Sequence, residues 1–151
     1  MLLIICGNSG VGKTWLANQL PLERITTTTT REPRDRETDY EYANSDDFMA
    51  ASGRGELVAC SYVFGNWYGV PYSEVGDGKS VILDDIGMTV LRTSCLDVFG
   101  EDLEVVSVLL DCESRDTRGR DDIPFSPCEF DYVFKSGEEA LETLTALIEE
   151  S

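Results

Sequence analysis

Gly7-Asn-Ser-Gly-Val-Gly-Lys-Thr14, or GNSGVGKT, opens after only six residues and decides how the rest of the chain is read. It satisfies G-x-x-x-x-G-K-[ST] in full. The preceding Met1-Leu-Leu-Ile-Ile-Cys6 is a short apolar run of strand type, and Trp15-Leu-Ala-Asn-Gln-Leu20 can continue as a helix until Pro21 blocks it. Strand, glycine loop and helix form the context in which this motif cradles phosphate. Glycines at 7, 10 and 12 permit backbone conformations closed to residues with a Cβ, so successive N–H groups can turn inward on a polyphosphate. The helix start adds partial positive charge at the same point. The reading is that Gly7, Asn8, Ser9, Gly10, Val11, Gly12, Lys13 and Thr14 hold a nucleoside triphosphate. Lys13 reaches the β and γ phosphates, and the Thr14 hydroxyl is the expected protein ligand of Mg²⁺. The bland alternative is a glycine-rich turn between a strand and a helix, which the motif's specificity disfavours.

Composition narrows the function further. The 151 residues suit one compact domain, and the 42% apolar content is ordinary for a globular protein. No apolar run approaches a membrane span, and the N-terminal apolar stretch is short for a signal peptide. The five cysteines are scattered without a C-x-x-C, as idle thiols in a reducing compartment would be. The expected location is the cytoplasm. Histidine is absent, which excludes an imidazole base or a histidine-bound metal. Phosphoryl transfer relies on positioning and electrostatics and survives that exclusion. The formal charge of −17 argues against duplex nucleic acid as a partner. Yet eight of the twelve cationic residues fall in three short stretches: Lys13; Arg24, Arg31, Arg34 and Arg36; and Arg115, Arg118 and Arg120. Local cationic spots on an acidic body suit a small anion, though arginines also gather in solvated loops.

Apolar strands alternate with helical stretches along the chain, as in an α/β fold with a mainly parallel sheet. Arg24–Thr30 is β-branched and strand-like; Asn44–Ala51 reads as a capped short helix ending at Gly53. Leu57–Phe64 reads as a strand closed by Gly65-Asn66. Ser80–Asp85 reads as a buried strand ending in carboxylates, followed by strands at Glu104–Leu110 and Asp131–Phe134. Glu138–Glu150 is an amphipathic helix with Ala140, Leu141, Leu144, Leu147 and Ile148 inward. This predicts a single domain with its core at 1–30, 79–111 and 128–151. Residues 31–78 form an inserted substrate-binding region, and residues 112–127 a polar loop.

Three further features lie where phosphoryl transfer needs them. Arg31-Glu-Pro-Arg34 follows a strand, and two guanidiniums there can clamp one phosphate, or simply decorate an exposed turn. Asp84 ends a hydrophobic strand in the manner of a Walker B carboxylate, facing Mg²⁺, phosphates or acceptor, or else solvent. Arg115-Asp-Thr-Arg-Gly-Arg120 reads as a cationic lid or, equally, as a solvated loop.

Taken in order, GNSGVGKT, Thr-Thr-Arg31-Glu-Pro-Arg34, Asp39-Tyr40-Glu-Tyr42, Phe64-Gly-Asn-Trp-Tyr68-Gly69 and Val81-Ile-Leu-Asp84 resemble the guanylate kinase family over nearly the whole chain. The resemblance implies a P-loop NTPase three-layer α/β fold with a mainly parallel central sheet, an inserted nucleotide-monophosphate-binding region and a short lid. It implies ATP with Mg²⁺ as donor and a nucleoside monophosphate as acceptor, so the expected partners are small-molecule nucleotides. Lys13, Arg115, Arg118 and Arg120 would be catalytic. Thr27, Arg31, Arg34, Tyr40, Ala59, Tyr68, Val70 and Asp84 would line the acceptor site, with Arg31, Arg34, Tyr40 and Tyr68 on its phosphate.

The departures concern the base. A glutamate that reads guanine in the family falls at Ala59, and a small hydroxyl residue falls at Val70. Thr27 and Asp84 keep polar groups. A second family carboxylate falls at Ile86. Two guanine readers have become apolar, which weakens guanine selection and leaves the acceptor open between GMP or dGMP and a 5-substituted pyrimidine deoxynucleotide. A non-catalytic guanylate-kinase-like binding module is the other reading, although such modules usually lose the phosphate loop that this chain retains. Transfer to a sugar phosphate, or to a modified nucleotide in DNA, is a third.

Overall fold

The computed structural model describes residues 1–8, 10–33, 40–112 and 125–150. Its centre is β1 (Leu2–Gly7), buried along its whole length. A strand of this kind, covered on both sides, belongs inside a parallel sheet. Among the described residues that sheet has five strands, in the order β2 (Glu23–Arg24), β7 (Lys79–Ile82), β1, β8 (Val105–Leu110), β9 (Tyr132–Phe134). Every pairing in it is parallel. Side chains of β1 alternate between two apolar layers. Leu3 and Ile5 join Leu16 and Ala17 of α1 (Lys13–Gln19) and Ala140 and Leu144 of α4 (Gly137–Glu150). Leu2, Ile4 and Cys6 join Met88, Leu91 and Cys95 of α3 (Asp85–Phe99) on the opposite face. The result is the three-layer α/β arrangement expected from the sequence.

A second sheet carries the excursion from the core. Its order is β4 (Tyr40–Tyr42), β3 (Thr27–Thr29), β6 (Asn66–Pro71), β5 (Leu57–Val63). The sequence reading treats Arg24–Thr30 as one strand, whereas the chain leaves the central sheet after Arg24 and enters the second at Thr27. Ile25 is buried at the crossing and its N–H donates to the Ser80 carbonyl at 2.7 Å. β5 and β6 form a two-residue hairpin through Phe64 (φ 49°) and Gly65 (φ 84°). Two positive φ values are what a tight hairpin turn requires, and the turn makes a strand of the aromatic Asn66–Pro71 segment. Leu57–Phe64 is read correctly as a strand, but its hairpin partner is not foreseen.

α2 (Ser45–Gly53) covers the far side of this sheet, with Asn44 capping it by accepting from the Asp47 N–H at 2.8 Å. Phe48 is the buried anchor of α2. It rests where Gly69 has no side chain: a Cβ at Gly69 would meet Phe48 Cζ at 3.1 Å and Cys60 Sγ at 3.3 Å. Among the described residues no helix is long and apolar enough to cross a membrane.

Candidate active site

The phosphate-loop residues sit at the carboxyl end of β1, between its neighbours β7 and β8, where an open parallel sheet leaves a crevice for ligands. Gly10 (φ 81°) and Gly12 (φ 99°) occupy the left-handed region, and Gly12 immediately precedes α1. Gly7 answers a different need. A Cβ there would lie 2.8 Å from Val11 Cγ2 and 2.9 Å from the Leu110 carbonyl, so the loop folds back too closely for any side chain. The Lys13 ammonium donates to the Gly7 carbonyl at 2.7 Å, which bends the lysine across the loop rather than out into solvent. Thr14 follows in the first turn of α1. Ser9 lies outside the described residues.

Asp84 stands two residues beyond the end of β7, where Leu83 N–H donates to the Ile5 carbonyl at 3.1 Å and keeps the two strand ends side by side. Cys6 Sγ lies 3.7 Å from the Asp84 carbonyl. The sequence reading ends a strand at Asp84–Asp85; instead Asp84 caps α3, with Oδ1 accepting from the Gly87 N–H at 2.6 Å. Its other oxygen accepts from Ser61 Oγ at 2.6 Å. Ser61 is on β5, so this carboxylate joins the core to the second sheet. Nothing in the motifs singles out Ser61. Its cue is structural, because a bulge between Val58 and Ser61 re-aims the strand. Ala59 sits in that bulge with φ 54°. Cys6 stays a thiol: burial pushes it well above the ordinary range, while nearby Lys13 pulls it down and Asp84 and Asp85 push it further up.

The acceptor-site candidates gather on one side of the second sheet. Thr27 pairs with Tyr40, Thr29 with Tyr68, and Tyr68 with Ser61. The ring centroids of Tyr40 and Tyr68 are 5.8 Å apart, and Arg31 Cζ lies 4.9 Å above the Tyr40 ring. Arg31 is only 8% exposed. The threonine run fixes its turn. Thr29 Oγ1 accepts from the Arg31 N–H at 3.1 Å and donates to the Trp67 carbonyl at 2.8 Å, while Thr30 Oγ1 accepts from the Trp67 N–H at 2.9 Å. Ala59 and Val70 are buried in the apolar layer with Met88 and Leu91. Arg34 and the three lid arginines, Arg115, Arg118 and Arg120, lie outside the described residues.

Cutting the α3 cap separates stability from placement of the carboxylate. Asp84→Ala is expected to cost about 1–3 kcal/mol, from the lost cap and the stranded Ser61 hydroxyl. Asp84→Asn, which keeps an acceptor for Gly87, is expected to recover most of it. Chemical denaturation of both variants checks this, and equal losses would remove the cap from the account.

No protein-family model matches the chain. Guanylate kinases do. That of Ruegeria pomeroyi is 35% identical over 96 residues, covering 56% of this chain and 45% of the relative. That of Malacoplasma penetrans is 35% identical over 96 residues (55% and 49%), and that of Cereibacter sphaeroides 40% identical over 83 residues (50% and 39%). The matched stretch therefore spans less than half the length of these curated relatives. The crystal structure of guanylate kinase from Anaplasma phagocytophilum superposes with a TM-score of 0.72 at 22% identity, covering 99% of this chain and 85% of that one. The likeness in sequence is thus to part of these guanylate kinases, and the architecture is the P-loop α/β fold of the superposed structure.

Proposed function

We propose that this guanylate-kinase-like chain is a nucleoside monophosphate kinase that transfers the γ-phosphoryl of ATP to a (deoxy)nucleoside monophosphate. The observation that carries the reading is a chain of contacts from the phosphate loop to the arginine turn. Cys6, at the start of the loop, touches Asp84, Asp84 accepts from Ser61, Ser61 pairs with Tyr68, Tyr68 packs on Tyr40, and Tyr40 lies under Arg31. In this reading one anion would be held at each end of this chain of contacts, with the transfer between them.

In this reading an oxygen of the acceptor phosphate attacks the γ-phosphorus, and the bond to the β–γ bridging oxygen breaks as ADP leaves. That acceptor oxygen is already ionised near neutral pH, so no strong base is needed and the lack of histidine is no obstacle. Loop amides and Lys13 hold the donor, and Arg31 with Arg34 orients the acceptor. Arg115, Arg118 and Arg120 neutralise charge on the moving group. Thr14 offers a hard oxygen, and Mg²⁺ characteristically takes few protein ligands beside phosphates and waters. Among the described residues no cluster of three acidic or thiol side chains competes with that arrangement. When bound, the ion offsets charge on the donor phosphates.

Ala59 and Val70, both buried in the core, supply no polar group to read a guanine edge, and Thr27 and Asp84 are the polar candidates left for the base. We expect a 5-substituted pyrimidine deoxynucleotide to outpace GMP and dGMP by about tenfold or more in kcat/KM, since each lost guanine reader forfeits about 1–3 kcal/mol. An ADP-release assay across GMP, dGMP, dTMP, dUMP and 5-hydroxymethyl-dCMP measures it. Faster turnover of GMP overturns the base assignment; silence with every acceptor overturns the kinase.

A further inference from the structure

The two sides of the phosphate loop are not alike, and the difference locates the donor's base. Asp84, Ser61 and the tyrosine face occupy the β7 side of β1. A triphosphate whose γ end points towards them must run its nucleoside the other way, over the carboxyl ends of β8 and β9. There the first turn of α1 meets the start of α4. Trp15, directly after Thr14, is 42% exposed although both of its helical successors, Leu16 and Ala17, are buried. Its ring lies against Gly137. A Cβ on Gly137 would lie 3.1 Å from Trp15 Cζ3 and 3.3 Å from Cε3, so the glycine leaves space for the indole against the start of α4. Close by in the chain, Asp111 N–H donates to the Phe134 carbonyl at 2.9 Å, and the Lys135 ammonium pairs with the Asp111 carboxylate. The corner therefore combines a supported aromatic face with a polar rim.

We propose that Trp15 is the stacking platform for the base of the phosphoryl donor, with the Asp111–Lys135 pair at its rim. The inference rests on the kinase reading above and adds a binding residue that the phosphate motif does not supply. Stacking suits any flat base and favours a purine by area, so the platform raises affinity for a nucleotide over bare polyphosphate without selecting sharply among purines.

The test compares two probes on the full chain by calorimetry: a non-hydrolysable ATP analogue with Mg²⁺, and inorganic tripolyphosphate with Mg²⁺. Wild type is expected to bind the analogue at least tenfold more tightly. Trp15→Ala should weaken the analogue about 10–100-fold and leave tripolyphosphate within about twofold. Trp15→Phe should restore most of the difference, and it supplies the comparison if the alanine variant folds poorly. Unchanged affinity of Trp15→Ala for the analogue, or equal loss of both probes, overturns the platform. So does a wild type that binds both probes equally well, while leaving the kinase reading intact. A wild type that binds neither overturns the kinase reading, and the platform with it.

Discussion

Lys13→Ala is expected to reduce turnover by at least about 10²–10³-fold while leaving the fold intact. The ammonium lies across the loop, 2.7 Å from the Gly7 carbonyl, and on the proposed kinase reading it would meet the inner phosphates of the donor. Removing one preorganised donor aimed at developing charge typically costs that much in kcat, and no other cation in the loop can replace it. The side chain is only partly buried, so the melting temperature should hold within a few degrees. Steady-state kinetics beside a thermal melt separate the two effects. Turnover close to wild type would mean that the chemistry occurs elsewhere.

Phe48→Ala is expected to be the most damaging change outside the central sheet. Phe48 is among the largest fully buried side chains, and its ring lies 6.1 Å from that of Trp67. It seats α2 on the second sheet at Gly69. Truncating a buried phenylalanine costs about 3–5 kcal/mol, which for a domain of this size lowers the melting temperature by about 6–20 °C. The face proposed for the acceptor is the other side of the same strands, so on that reading KM for the monophosphate should rise well before affinity for ATP changes. Hydrogen exchange gives the spatial check, because β3 to β6 should lose protection while β1 and β8 keep theirs. Uniform loss across both sheets would show that they unfold as one unit.

The sequence reading succeeds where a local rule has one solution. GNSGVGKT requires a strand before it and a helix after it; Asn44 caps a helix; the spacing of Ala140 and Leu144 predicts which face of the last helix is buried, and both are buried. It stops short where the answer depends on distant partners. The run Arg24–Thr30 is uniformly strand-like, and only pairing with β7 on one side and β6 on the other divides it between sheets. α3 is absent from that reading, although Met88, Leu91 and Cys95 recur at helical spacing behind a capping aspartate. Only Asp84-Asp85 separates the apolar run at Val81–Leu83 from it, and two carboxylates at a strand end hide the change of period. Among candidate residues, Arg31, Tyr40 and Tyr68 come together from separate motifs. Ser61 had no motif to reveal it. Its role exists only because a bulge turns β5 towards Asp84.

The placement of β1 has a consequence for biosynthesis. Its hydrogen-bonding neighbours are residues 79–82 and 105–110, so this apolar strand is synthesised well before either of the segments that pair with it. Parallel pairings across such separations form slowly, and an unpaired apolar strand invites association with other chains meanwhile. Expression at reduced temperature, or with holdase chaperones in excess, should therefore raise the soluble yield of this protein more than changes to its surface charge.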